Sequence, residues 1–152
     1  MMNYQGLFFG NDPISSAGDT LPIDPLSRFI LDPSGEMLVM TIPEWLCAAI
    51  GASTSLVYFS AASMEKNTRN HPDLTVEEYA VLPAMNGTSE NAIVIQDRHN
   101  ACVVIQNLGR SYLVAIKATK SGESVFVTSF HRIDDESEIQ RKLRRGHRIV
   151  PP

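Results

Sequence analysis

From residue 91 to residue 133 apolar side chains recur at every second position, in four runs joined by links of two to four residues. The runs are NAIVIQD (91–97), ACVVIQNL (101–108), SYLVAIKAT (111–119) and SVFVTSFHRI (124–133). Their Val, Ile, Phe and Tyr content and their period of two mark them as strands. Links as short as RHN, GR and KSGE leave room only for hairpins, so the four strands are predicted to form an antiparallel meander.

Upstream the period is helical. MTIPEWLCAAIG has Thr41 and Glu44 spaced as a capping box, Pro43 in the first turn, one apolar face through Trp45, Leu46, Ala49 and Ile50, and Gly51 as a stop. SLVYFS reads as a short strand or extended link, and Ser60 is placed to cap a helix over AASMEKNTR. Thr75 and Glu78 form a second capping box that starts a helix through Val76, Tyr79, Ala80 and Leu82, closed by Pro83 and Gly87. His71 precedes Pro72, which bars it from helical backbone space, so this imidazole sits on a rigid joint between two helices. After the strands, DDESEIQRKLRRG reads as a closing helix capped by Asp134 or Asp135, with acids first and bases last. The predicted architecture is α+β: N-terminal helices packed on a four-stranded antiparallel meander sheet, with a closing basic C-terminal helix. Residues 1–40 read as an irregular Pro/Gly-rich lead-in that wraps the domain through Phe8, Phe9, Phe29 and Ile30 or meets a partner, and residues 41–152 as the domain proper.

Composition narrows the class. A chain of 152 residues at 43% hydrophobic content suits one domain with a real core. No apolar run approaches the ~18 residues a membrane span needs, and the N-terminus lacks a basic n-region, so no membrane association and a cytoplasmic location are expected. Cys47 and Cys102 stand in apolar surroundings and read as reduced core residues. The spacing of His71, His99, His131 and His147 matches no metal-binding pattern, and no cofactor-binding motif is present. The net charge of −4 argues against unselective binding of polyanions. The last twelve residues nevertheless carry Arg141, Lys142, Arg144, Arg145 and Arg148 and no acid, which reads either as a solvated helix end or as a phosphate-contacting patch.

Some polar residues fall where the strand pattern calls for apolar ones. Lys117 shares a face with Leu113 and Ala115 in an otherwise apolar strand; it either snorkels to solvent or serves a site. Simple alternation puts Phe126, Thr128 and Phe130 opposite Val127, Ser129 and His131, with Arg132 at the strand end. Arg110 opens a hairpin and by itself reads as a surface turn residue. Together His71, Lys117, Thr128 or Ser129, and Arg110 or Arg132 supply an acid/base, fixed cations and neutral donors, without a carboxylate cluster. That inventory suits metal-free attack on a phosphodiester.

The pattern S…KN…HPDLT…EYAVLP, the four strands, YLVAIKAT…ESVFVTSFHR and the basic closing helix resemble phage-associated domains of the barnase–EndoU–colicin–RelE group of metal-independent ribonucleases. The resemblance runs from about Thr41 to about Val150. It implies an active site on the open side of the sheet and cleavage of RNA, tRNA included, through the 2′-hydroxyl. It further implies His71 as general acid or base, Lys117 as the cation at the phosphate, Thr128 or Ser129 as the last-strand hydroxyl, and His131 and Arg132 as phosphate contacts, joined by Arg110, Arg144 and Arg145. Many members of that group have Tyr where this chain has Phe130. The expected partners are an RNA substrate and a neutralising or virion protein meeting the N-terminal segment. The alternative is a catalytically inactive phage protein that keeps the fold and binds RNA or protein, consistent with the acidic pI near 5.5.

Overall fold

The computed structural model describes residues 24–84, 92–107 and 109–151; Phe8, Phe9 and Gly87 lie outside them. Asp24 opens the described chain as a helix cap, its carboxylate accepting from the Ser27 amide at 2.9 Å, with α1 (Pro25–Leu31) following. β1 (Glu36–Thr41), α2 (Glu44–Ile50), β2 (Leu56–Ser60) and α3 (Ala61–Asn70) come next. The predicted capping box at Thr41 and Glu44 does not form: Thr41 ends β1, and the N-cap of α2 is Pro43, without a side-chain bond. Gly51 stops α2 at φ 78°, in the left-handed region that favours glycine. Ser60 does cap α3, accepting from the Ser63 amide at 3.1 Å. The Thr75–Glu78 capping box is present at the start of α4 (Val76–Tyr79), and α5 (Val81–Ala84) follows one residue later.

β3 (Ile93–Asp97), β4 (Asn100–Asn107), β5 (Arg110–Ala118) and β6 (Val125–Ile133) pair antiparallel in chain order. The sheet does not end there. Its order is β1-β2-β6-β5-β4-β3-β7, where β7 (His147–Ile149) follows α6 (Ser137–Arg145). The prediction of a four-stranded antiparallel meander is therefore corrected to a seven-stranded mixed sheet. The hairpin logic saw only neighbours in sequence. β2 joins β6 in parallel through Val57–Val125 and Tyr58–Phe126, a pairing across more than sixty residues that no local spacing reveals. The tail contributes β7, antiparallel to β3. Gly146 makes that return possible, since a Cβ there would lie 2.6 Å from the Gln96 carbonyl oxygen.

The segment read as lead-in supplies both α1 and the edge strand β1, and Phe29, Ile30, Val39 and Met40 are core residues. One sheet face carries this core. Val57, Phe59, Tyr112, Val114, Ile116, Val125, Val127 and Phe130 meet Leu46, Ile50, Met64 and Leu82 from the helices. Each such side chain stabilises by roughly 1.5–3 kcal/mol on burial. The second face is covered in part by α6, which packs across β3 and β7.

Simple alternation also fails within β6. Ser129 pairs with Ala115, but Val127 pairs with Ile116, so Thr128 is the extra residue of a bulge. Val127 and Phe130 are both buried in the core, while Thr128 is exposed on the second face, its hydroxyl donating to the Ala115 carbonyl at 3.2 Å. After the bulge Ser129 and His131 lie on the second face and Arg132 on the core face.

Candidate active site

β6 is longer than its parallel neighbour. β2 ends at Ser60, beside the first residues of β6, and among the described residues the rest of that edge has no strand partner. Asn67, buried within α3, seals the gap. Its side-chain oxygen accepts from the Phe130 amide at 2.9 Å, and its Nδ2 donates to the Phe130 carbonyl at 2.9 Å and to the Tyr79 hydroxyl at 2.8 Å. One amide thus imitates a strand residue and satisfies both backbone groups. The Asn67 carbonyl also accepts the His71 amide at 2.9 Å, ending α3 one turn later. His71 is thereby anchored at the sheet edge.

From that position the His71 ring stacks on His131, centroids 4.8 Å apart and planes 21° from parallel. His131 is held on both nitrogens. Its Nε2 lies 2.6 Å from Glu138 of α6, and its Nδ1 lies 3.2 Å from the Ser129 hydroxyl. A carboxylate accepts only, so Nε2 carries a proton; in the neutral ring Nδ1 then accepts from Ser129. The result is a Ser129–His131–Glu138 relay with a second imidazole lying on it. Burial, and after it the neighbouring His131, hold the His71 imidazole below its ordinary pKa, against the opposing pull of Asp73 and Glu138. His71 is consequently neutral at pH 7 and available as a base.

Arg132, one residue on, faces the other way into a saturated cluster. It binds both Glu78 carboxylate oxygens, one through Nε at 2.6 Å, and reaches the Asp73 carboxylate at 3.0 Å and the Asp73 carbonyl at 2.9 Å. The Tyr112 hydroxyl donates to Glu78 at 2.8 Å. The Arg132 guanidinium, with help from the Thr75 amide and Tyr112, holds the Glu78 carboxyl far below the usual carboxylate range. Arg110 stands 3.9 Å from Glu78 at the same end. Arg132 and Arg110 are thus drawn toward a carboxylate and away from the histidine pair.

The remaining predicted residues divide again. Lys117 is exposed on the second face, where it borders a depression of about 310 Å³ with Phe126, Thr128, Ser60 and Glu36. Arg145 and Lys142 border a neighbouring depression of about 280 Å³ with Thr128, Asn100 and Cys102. Arg144 is exposed in the last turn of α6. The structure therefore brings His71, Ser129 and His131 together, sets Lys117, Thr128 and Arg145 along the adjoining face, and removes Arg110 and Arg132. Sequence reasoning missed Glu138, Asn67 and Glu78. Only Glu78 left a local signal, as the capping-box residue; the other two act on β6 from distant elements. No group of three or more His, Cys, Asp or Glu among the described residues is arranged to hold a metal ion. Nor is any described helix long and apolar enough to cross a membrane.

No protein-family model matches this chain, and comparison with curated proteins and with solved structures yields no match. The functional reading rests on the residues alone.

Proposed function

We propose that this protein is a metal-independent endoribonuclease that cleaves by attack of the RNA 2′-hydroxyl, with His71 and His131 as its acid–base pair. The observation that carries the reading is the stacked imidazole pair, one ring neutral and one fixed between Ser129 and Glu138. His71 takes the 2′-hydroxyl proton as the 2′-oxygen bonds to phosphorus. The bond from phosphorus to the 5′-oxygen breaks, leaving a 2′,3′-cyclic phosphate and a free 5′-hydroxyl. This step requires His131 protonated on both nitrogens: with Nε2–H donated to Glu138, Nδ1 gives its proton to the Ser129 oxygen as the Ser129 hydroxyl proton passes to the departing 5′-oxygen, leaving His131 neutral. Lys142 and Arg145 of α6 offset charge on the non-bridging oxygens.

The test is cleavage of a panel of single-stranded RNAs and tRNAs by the purified chain in EDTA. His71→Ala should lower the rate by at least ~100-fold, the scale of general acid–base catalysis. Intact RNA across the panel would remove the activity, and an unchanged rate in the variant would remove His71 from it.

A second reading draws on the engagement of Arg132 by Glu78 and Asp73, which leaves fewer cations beside the histidines than the resemblance implies. In it the chain keeps the fold and binds RNA without cutting it. Salt-dependent RNA affinity without cleavage products would select that version.

A further inference from the structure

The second face of the sheet holds a feature that the histidine site does not use. Leu38, Tyr58, Phe126 and Lys117 are successive register partners across β1, β2, β6 and β5. All four lie on the face away from the core. α6 packs on β3 and β7 and reaches β6 through Glu138, Lys142 and Arg145. Leu38 is 46% exposed and its neighbour Leu56 38% exposed, large apolar side chains left open to solvent. Tyr58 and Phe126 are half-buried, on adjacent parallel strands about 4.8 Å apart. Two partly exposed aromatic side chains at paired positions of one sheet face offer a surface on which planar bases can stack.

Charge fits the same occupant. Lys117 flanks Phe126, and Lys142 and Arg145 stand across Thr128. Three acids share this face: Glu36 borders the Lys117 depression, Asp97 borders the Lys142–Arg145 depression, and Glu138 is engaged by His131. Thr128 borders both depressions, and Ser129, next along β6, is bonded to His131. A continuous track therefore leads from the aromatic pair, past the cations, to the acid–base pair, roughly 15 Å along the strand.

We propose that this face binds single-stranded RNA, with bases stacked on Tyr58 and Phe126 and the backbone running past Lys117, Lys142 and Arg145 toward Ser129 and His131. The choice of RNA over another single strand rests on the ribonuclease reading; the stacking surface does not. Duplex is disfavoured because its bases are already stacked on each other and offer no free faces.

The experiment is fluorescence anisotropy of the full chain with a labelled, uncleavable 2′-O-methyl oligonucleotide, single-stranded and as a duplex. The single strand should bind at least ~10-fold more tightly than the duplex. Tyr58→Leu and Phe126→Leu, which keep apolar bulk but remove the ring, should each weaken binding by roughly 5-fold to 100-fold. Lys117→Gln should weaken it and reduce the salt slope by about one. Equal affinity for duplex, absence of oligonucleotide binding, or unchanged binding by Tyr58→Leu and Lys117→Gln would overturn the proposal. Tyr58→Leu and Lys117→Gln decide the question even if Phe126→Leu fails to fold. Ring-dependent binding with no cleavage of RNA would uphold the surface and remove the ribonuclease. Cleavage with KM unchanged in Tyr58→Leu would do the reverse.

Discussion

His131 and Arg132 are neighbours on β6, yet they end in opposite kinds of environment. Arg132 meets Glu78, Asp73 and Tyr112 in a cluster where the Glu78 carboxylate is filled by donors. His131 meets Ser129 and Glu138 at its two nitrogens and His71 across its ring face. The Arg132 side ties α4 to the sheet. The His131 side sits at an edge that no described strand reaches. A polar residue in such a strand is thus informative only with its partners: a cation filled by carboxylates is a tie, and an imidazole set between a hydroxyl and a carboxylate, with a second imidazole on its face, suits proton transfer.

Substitutions can break this contrast. Exchanging His71 for Ala should give the largest effect, the ~100-fold rate loss already named, while the melting temperature moves by no more than about 2 °C. On the other side, Glu78→Gln should lower the melting temperature by roughly 5 °C or more, because Arg132 and Tyr112 lose a charged acceptor that is only 12% exposed. Its cleavage rate per folded molecule should stay within about twofold; a loss comparable to that of His71→Ala would mean that the two clusters act as one. Asn67→Ala tests the element that joins them. It leaves the Phe130 amide and carbonyl without their side-chain partner, at a cost of about 1–3 kcal/mol, read from denaturant unfolding. It should also lower activity, since α3 then loses its tie to β6 below His71.

The smallest effect is in pH dependence, where the two clusters titrate in separate windows. Both His71 and Glu78 have folded-state values below their unfolded ones. In each case the unfolded chain binds the proton more readily, so stability is complete above the unfolded value and falls as pH drops toward the folded one. For His71 the decline begins near pH ~6.5, and for Glu78 only below about pH 4.3. Unfolding free energy measured against pH should therefore lose its slope just below neutrality in His71→Gln and its acid slope in Glu78→Gln. One shared window for both variants would dissolve the distinction.

Much of this was legible in local chemistry. Ser60 and the Thr75–Glu78 box cap helices as their spacing requires, and Pro72 places His71 on its joint. The strand period from 93 to 133 is readable because each residue answers to its immediate neighbours. The site was legible only as a set of types. His71, Ser129 and His131 do converge, but Glu138 was invisible because its role depends on how α6 lies on the sheet. Lys117 was read as the cation at the phosphate and stands beside Phe126, across a depression from Thr128.

What stayed hidden shares one physical cause. The bulge at Thr128 shifts register by one residue, which turns Phe130 into the core and Ser129 and His131 onto the other face. That shift is favoured by fitting Phe130 against Tyr79 and Tyr112, ring centroids 5.3 and 5.6 Å away. The parallel pairing of β2 with β6 and the return of β7 likewise depend on packing between segments far apart in the chain. Hairpins and caps follow from interactions among neighbouring residues and can be read from spacing. Sheet order, bulge position and the partner of each charge follow from which distant surfaces bury each other, and only the folded chain decides them.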